Sequence, residues 1–287
     1  VFTGPLPPDR FNLARYCLAD KPAEKTALIV AGADTARWSY GALEDTVLRM
    51  AEGLQRRGVG RGDRLFIRMG NSVDYALVYF AANAAGAVPI PASSMLTAPE
   101  VAKLLAHSRP KFVAWDGALE MPDARGTTLL TPDDLEELKR APRGDYADTA
   151  KDDPGYMVYT SGTSGTPKGV LHAQRAVWGR RPMYQGWYGI SADDILLHTG
   201  AFNWTYTLGT GLLDPFANGA TAIVYTGEKD TGIWERLTGQ FGATLFASVP
   251  GIYRQLLRTG FKPGASLRHG FSAGEALPVS LLRQWRD

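Results

Sequence analysis

Between Tyr159 and Val170 the chain reads Tyr-Thr-Ser-Gly-Thr-Ser-Gly-Thr-Pro-Lys-Gly-Val, a run whose chemistry suits the grip of a polyphosphate. Gly162, Gly165 and Gly169 permit backbone angles that turn several amide N–H groups toward one point, with no Cβ to block a ligand there. Thr160, Ser161, Thr163, Ser164 and Thr166 add hydroxyl donors, and Lys168 adds a mobile positive charge. From Pro154 through Ala192 there is no Asp or Glu, whereas Lys168, Arg175, Arg180 and Arg181 all occur, so the local field is expected to attract anions.

Two other readings of this run compete with a phosphate grip. A solvated Gly/Ser/Thr linker has the same composition, but a linker seldom follows an apolar strand directly and resumes as Val170-Leu171-His172. A Walker A loop needs Gly before its lysine and Ser or Thr after it, to supply a helix N-terminus and a magnesium-binding hydroxyl. Here Pro167 precedes Lys168 and Gly169 follows it, so the loop is of another kind.

The elements that must position this loop are short β-rich runs alternating with amphipathic helical stretches, the pattern of parallel sheets flanked by helices. Strands are expected over Thr26 to Ala31, Arg64 to Arg68, Lys111 to Trp115, Tyr156 to Tyr159, Ile195 to Thr199, Ala220 to Tyr225, Thr244 to Ala247 and Arg268 to Ser272. Ser39 can cap a helix that keeps Leu43, Val47, Met50, Ala51 and Leu54 on one face, with Gly58 as its stop. Thr97-Ala98-Pro99-Glu100 reads as a capping box, and Thr131-Pro132-Asp133-Asp134 opens another helix similarly. From Ala141 to Pro154 the pattern lapses into polar, turn-rich sequence, which predicts a first α/β subdomain over residues 1–150 and a second over 151–287. The run Pro278 to Asp287 looks like the opening turns of a helix with no stop signal after it.

On these residues the chain resembles the adenylate-forming superfamily of acyl-CoA synthetases, peptide-synthetase adenylation domains and luciferases. Tyr159 to Val170 matches that family's phosphate-loop signature. Trp38 to Leu43, Ala85 to Pro91 and Ser272 to Leu277 add shorter likenesses in the family's order. The resemblance implies the large N-terminal α/β domain of such an enzyme, with two parallel-sheet subdomains. It also implies a chain that stops ahead of the family's magnesium-binding glutamate, its ribose-binding aspartate and its small C-terminal domain, and that is inactive alone.

The implied activity is ATP-dependent activation of a carboxylic acid, fatty or aryl, to an acyl-adenylate, followed by thioester formation with CoA. ATP, Mg and CoA are the implied cofactors. Transfer to a carrier protein, or nucleotide binding without catalysis, remain open alternatives. By similarity, Thr160 through Lys168 would hold the β- and γ-phosphates, and Gly274, Glu275 and Ala276 would form the turn against adenine. Phe202 and Trp204 would bound the acid, with Val249 on the other wall, although unaided composition favours ordinary core for these aromatics. His172 follows the loop closely, yet an ionised carboxylate needs no base, so an orienting or packing role is expected. No residue of the chain is assigned a chemical step or a metal ligand.

Composition excludes other classes. The 287 residues are 45% hydrophobic, and 31 Lys plus Arg against 29 Asp plus Glu leave a net charge of +2, which provides no footprint for nucleic acid. Cys17 is the only cysteine, so neither a disulfide framework nor a thiolate metal site arises within one chain, and a reducing cytoplasmic setting is expected. The 18 uncharged residues from Tyr75 to Ala92 are broken by Asn83, Gly86, Pro89 and Pro91 into a buried helix and a short strand, not a membrane span.

Overall fold

Apolar runs too short to bury themselves as helices pair laterally, and the amphipathic helices between them cover the resulting sheets. A computed structural model describes residues 4–124, 126–160, 168–230 and 232–286. The chain forms two compact units, one of residues 1–25 and 40–181 and the other of residues 26–39 and 182–287. Elements are numbered along the whole chain.

The first unit is built on a parallel sheet in the order β4-β3-β5-β6, from β3 (Arg64–Arg68), β4 (Val88–Pro91), β5 (Phe112–Trp115) and β6 (Thr128–Leu130). Helix α1 (Leu13–Leu18) packs on α3 (Val73–Ala84), which is buried along nearly its whole length, and α2 (Tyr40–Arg56) packs on α3 and α5 (Pro132–Lys139). The expected buried helix and short strand over residues 75–92 are α3 and β4, and no helix among the described residues is long and apolar enough to cross a membrane. Helix α4 (Ala98–Ser108) buries Val101, Leu104 and Leu105 against Phe66, Ile90 and Val113 of the sheet. Both expected capping boxes form: Glu100 accepts from the Thr97 backbone at 2.8 Å and Asp134 from that of Thr131 at 2.9 Å. A separate antiparallel hairpin, β7 (Pro154–Thr160) with β8 (Lys168–Ala173), adds Met157 to the same apolar cluster.

The second unit is a six-stranded sheet in the order β12-β11-β9-β10-β1-β2. Its strands are β1 (Thr26–Ala31), β2 (Ala36–Ser39), β9 (Ile195–His198), β10 (Thr221–Tyr225), β11 (Leu245–Ser248) and β12 (His269–Ser272). All neighbours are parallel except β2, which returns antiparallel along β1. Past the short turn α6 (Arg181–Met183), α7 (Thr205–Leu208) and α8 (Asp214–Ala217) connect β9 to β10. Helices α9 (Ile233–Phe241), α10 (Pro250–Arg258) and α11 (Val279–Arg286) bring Leu237, Tyr253 and Leu281 to one face, against Ile29, Leu197, Ile223 and Phe246. Tyr184, Tyr188 and Ile190 cover Leu196, Leu245 and Phe271 on the other. Strands buried on both faces read as continuous apolar runs, which is why Ile-Leu-Leu and Thr-Ala-Ile-Val-Tyr carry no alternation.

The units divide elsewhere than at the expected residue 150. Turn-rich composition over 141–154 marks irregular backbone rather than a boundary, because that stretch is tied into the first unit. Ala147 N–H donates to the Ala84 carbonyl at 2.7 Å and Phe11 N–H to that of Thr149 at 2.8 Å. Residues 26–39 belong with the second unit because β1 pairs with β10, a partnership no local pattern reveals.

Asp194, ahead of β9, is buried and accepts from Ser191 N–H at 2.8 Å, Thr244 Oγ1 at 2.7 Å and Arg268 Nη2 at 2.7 Å. Burial alone would raise its pKa, but the hydrogen bonds from Arg268, Thr244 and Ser191 outweigh it, and the carboxyl is held below its ordinary value. The stability it contributes is therefore present above the unfolded pKa of about 3.9 and lost as pH falls below it. Asp194→Asn should lower the denaturant midpoint at pH 7 and flatten its loss as pH falls below about 4, where the lowered folded pKa places that loss. Parallel midpoint curves for the two proteins would disprove this.

Candidate functional site

In the first unit the predicted phosphate grip is carried by the β7–β8 hairpin. The two strands pair from Tyr156 opposite His172 to Thr160 opposite Lys168, so the first and last polar members of the motif face each other across the ladder. Both are exposed. Ser161, Gly162, Thr163, Ser164, Gly165 and Thr166, with Pro167, lie outside the described residues. Strand β7 is buried from Gly155 to Val158, whereas β8 is largely exposed, which explains why only the first strand was legible as an apolar run.

Gly169 differs from expectation. It lies inside β8 with no left-handed backbone angle, and its need for glycine is steric: a Cβ there would come within 2.9 Å of Met157 Sδ. The basic surroundings are also thinner than the sequence implies. Arg175 pairs with Asp152, just outside the acid-free window, and Arg181 lies 4.3 Å from the Trp178 ring centre. His172 stacks flat on Tyr156 with ring centres 4.5 Å apart. Half-buried, it is held below the ordinary histidine pKa by desolvation and by Arg180.

In the second unit the predicted acid and adenine residues all follow the carboxyl ends of parallel strands, where open α/β sheets bind ligands. Registered neighbours Ala247 and His198, and Ser248 and Ser272, align the ends of β9, β11 and β12. Val249 follows β11 and is half-buried, its Cγ1 3.6 Å from where a Cβ on Gly274 would sit. Gly274 has φ +98°, a conformation that favours glycine, and with Glu275 and Ala276 it forms an exposed turn after β12. The two aromatics part company. Phe202 is 3% exposed and packed inside, while Trp204 is 53% exposed just ahead of α7.

Sequence reasoning assigned no role to the polar groups that gather at this edge. Thr199 Oγ1 and Ser248 Oγ share a hydrogen bond of 2.6 Å, and Lys229 Nζ donates to the Thr199 carbonyl at 2.8 Å. Although Lys229 is an exposed residue, desolvation of its ammonium holds its pKa below the ordinary lysine value. Tyr206 Oη donates to the Phe271 carbonyl at 3.3 Å, and its ring meets His198 edge to face at 4.6 Å. His198 Nδ1 accepts from Gly200 N–H at 2.9 Å, which leaves the proton on Nε2. Burial, with Lys229 nearby, pushes its pKa down to about 3, so the ring stays neutral. His198 Nε2 and Thr207 Oγ1 are buried without a hydrogen-bond partner among the described residues. Only strand register shows that these residues share one edge, and a lone histidine or threonine in the sequence carries no such signal.

No group of three or more His, Cys, Asp or Glu that could hold a metal ion occurs among the described residues. The carboxyl edge of the second unit offers hydroxyls, a lysine and apolar walls, a set fitted to binding and orienting anionic and aromatic groups.

These features are those of a family. The AMP-binding enzyme profile matches residues 16–287, and the chain belongs to that family. The chain is 30% identical, over 94% of its length and 55% of the relative's, to a 3-hydroxybenzoate–CoA/4-hydroxybenzoate–CoA ligase of Thauera aromatica. It is 32% identical, over 87% of its length and 50% of the relative's, to a 4-hydroxybenzoate–CoA/benzoate–CoA ligase of Rhodopseudomonas palustris. Among solved structures, a benzoate CoA ligase from Burkholderia xenovorans superposes with TM-score 0.86 at 29% identity, covering 96% of this chain and 58% of that one. The chain thus spans about half the length of the curated relatives it matches. The mixed α/β architecture with parallel sheets is the one expected from sequence.

His198 sits between glycines: a Cβ on Gly211 would approach its Cβ to 2.9 Å, and one on Gly200 would approach its Cε1 to 3.1 Å. Gly211→Ala should therefore destabilise the protein by about 1–3 kcal/mol, the usual cost of overpacking. Because the folded pKa of His198 lies below the unfolded value of about 6.5, its neutral burial costs stability progressively as pH falls from that value toward about 3. His198→Gln should shrink the stability difference between about pH 7.5 and pH 4.5, a window within that span. Thermal or denaturant unfolding reads both, and an unaltered pH difference would refute the second.

Proposed function

We propose that the protein to which this chain belongs joins a carboxylic acid to CoA at the expense of ATP, and that aromatic acids are its first substrates to test. The observation that carries this is the Tyr159–Val170 motif on a hairpin whose stem sets Thr160 opposite Lys168. Family membership and relatives that are hydroxybenzoate and benzoate CoA ligases support it.

A carboxylate is a poor electrophile, and its negative charge repels a nucleophile. In the proposed reaction a carboxylate oxygen attacks the α-phosphorus of ATP, the bond to the β-phosphate breaks, and pyrophosphate leaves. The sulfur of CoA then attacks the acyl carbon, AMP departs and the thiol proton is released. Thr160 and Lys168, with Ser161, Gly162, Thr163, Ser164, Gly165 and Thr166, are assigned to the β- and γ-phosphates, where N–H, O–H and ammonium donors stabilise departing charge. Gly274, Glu275 and Ala276 are assigned to adenine. Val249 and Trp204 are assigned to the acid, and Phe202, which is buried, to packing behind that wall. Magnesium enters with the nucleotide as part of the substrate.

The full-length protein, given ATP, CoA and a panel of short, medium, long and aryl acids, should release pyrophosphate with an aryl acid and form its CoA thioester. Silence across the panel would overturn the proposal. Lys168→Ala should slow the pyrophosphate-forming step by about ten- to a hundredfold, the kinetic equivalent of losing a charged hydrogen bond of about 1.5–3 kcal/mol. An unchanged ATP dependence would remove Lys168 from the phosphate site.

A further inference from the structure

One histidine outside the assigned site is bonded to β7 of the β7–β8 hairpin and lies close to β8. His107 stands in the last turn of α4, and its Nδ1 lies 2.8 Å from the phenol oxygen of Tyr159. The rings meet edge to face with centres 5.6 Å apart. On the other strand, the point where a Cβ on Gly169 would sit is 3.6 Å from His107 Cε1. Tyr159 and Gly169 are registered partners, one pair before Thr160 and Lys168. The imidazole therefore meets the hairpin at the registered pair just before Thr160 and Lys168.

The two sides of this contact differ in how firmly they are held. Helix α4 is fixed by Val101, Leu104 and Leu105 in the core, and its end is bound to β3 by Arg64 Nη1 donating to the Ser108 carbonyl at 2.6 Å. The β8 strand is largely exposed and pairs with β7 alone. Burial raises the Tyr159 phenol above its ordinary pKa, so the hydroxyl keeps its proton and pairs with Nδ1 in either imidazole tautomer. Its other partner, the Leu104 carbonyl, is 3.5 Å away. One short hydrogen bond thus joins a rigid helix end to the open end of a two-stranded ladder.

We propose that His107 is a positioning residue that holds the loop end of the β7–β8 hairpin in register through Tyr159. Resting on the reading of that hairpin as the phosphate grip, it sets the affinity for ATP without touching the nucleotide. Gly169 belongs to the same pair of strands, where a Cβ would press on Met157 Sδ at 2.9 Å.

The test uses the full-length protein with His107→Phe, His107→Asn, Tyr159→Phe and the His107→Phe/Tyr159→Phe pair. His107 is exposed, so its variants should fold, and thermal unfolding checks that they do. Hydrogen exchange at the amides of residues 157–160 and 168–170 should quicken in His107→Phe and Tyr159→Phe. The KM for ATP should rise about two- to tenfold, as expected from losing one neutral hydrogen bond, while kcat holds within about twofold. The paired variant should be no worse than either single one, and His107→Asn, which keeps a polar atom near Nδ1, should restore most of the loss. Unchanged exchange, additive effects in the pair, or loss of thermal stability with an unchanged KM would each overturn the proposal. A wild-type protein with no ATP-dependent turnover would sink the ligase reading instead, and the exchange measurement would still decide for or against His107.

Discussion

The second unit depends on a pairing between residues far apart in the chain. Thr221 at the start of β10 donates its hydroxyl to the Thr26 carbonyl at 2.7 Å across 195 residues of sequence, and four registered pairs between β1 and β10 follow. A contact of such separation must overcome a large loop-closure entropy before it contributes anything, and folds dominated by such contacts form slowly. What makes it hold is burial on both faces. Ile29 enters the same apolar cluster as Ile223, Phe246 and the helices α9 and α10, so the strand is fixed by its side chains as well as its ladder.

Much of the architecture was legible because its signals are local. The α2 periodicity, the Thr97 and Thr131 capping boxes and the eight apolar runs each depend on neighbours in sequence, and each appears within a residue or two of its expected place. The true division of the units, which leaves 26–39 with the second and carries the first on to residue 181, was not legible for the complementary reason. Polar, turn-rich sequence reports that backbone is irregular, while only long-range hydrogen bonds report which body it belongs to. Strands β2, β6 and β8 were missed because short or exposed edges lack an apolar run.

Site residues follow the same division. Gly274 was marked only through the family resemblance, and its left-handed backbone gives that glycine a physical reason. Gly169 was marked for the wrong reason, since the obstruction it avoids is the protein's own Met157. The neutral His198, the Thr199–Ser248 hydroxyl pair and the desolvated Lys229 come together only through register between β9 and β11 and the return of a loop. Buried polar atoms without partners are costly, and their presence at the carboxyl edge is the feature of this unit least explained by packing.

The antiparallel return of β2 has a meaning beyond topology. A sheet edge offers unpaired N–H and C=O groups to any passing strand, and solutions at high concentration punish that through aggregation. At this edge the strand is four residues long and shifts register between Thr26 and Leu28 of its partner, and Arg37 reaches from it over the Phe241 ring with 5.6 Å to the centroid. An incoming chain would meet a brief, irregular ladder and a charged side chain. A margin of this kind acts between molecules rather than within one, since it offers a neighbouring chain little ladder to extend.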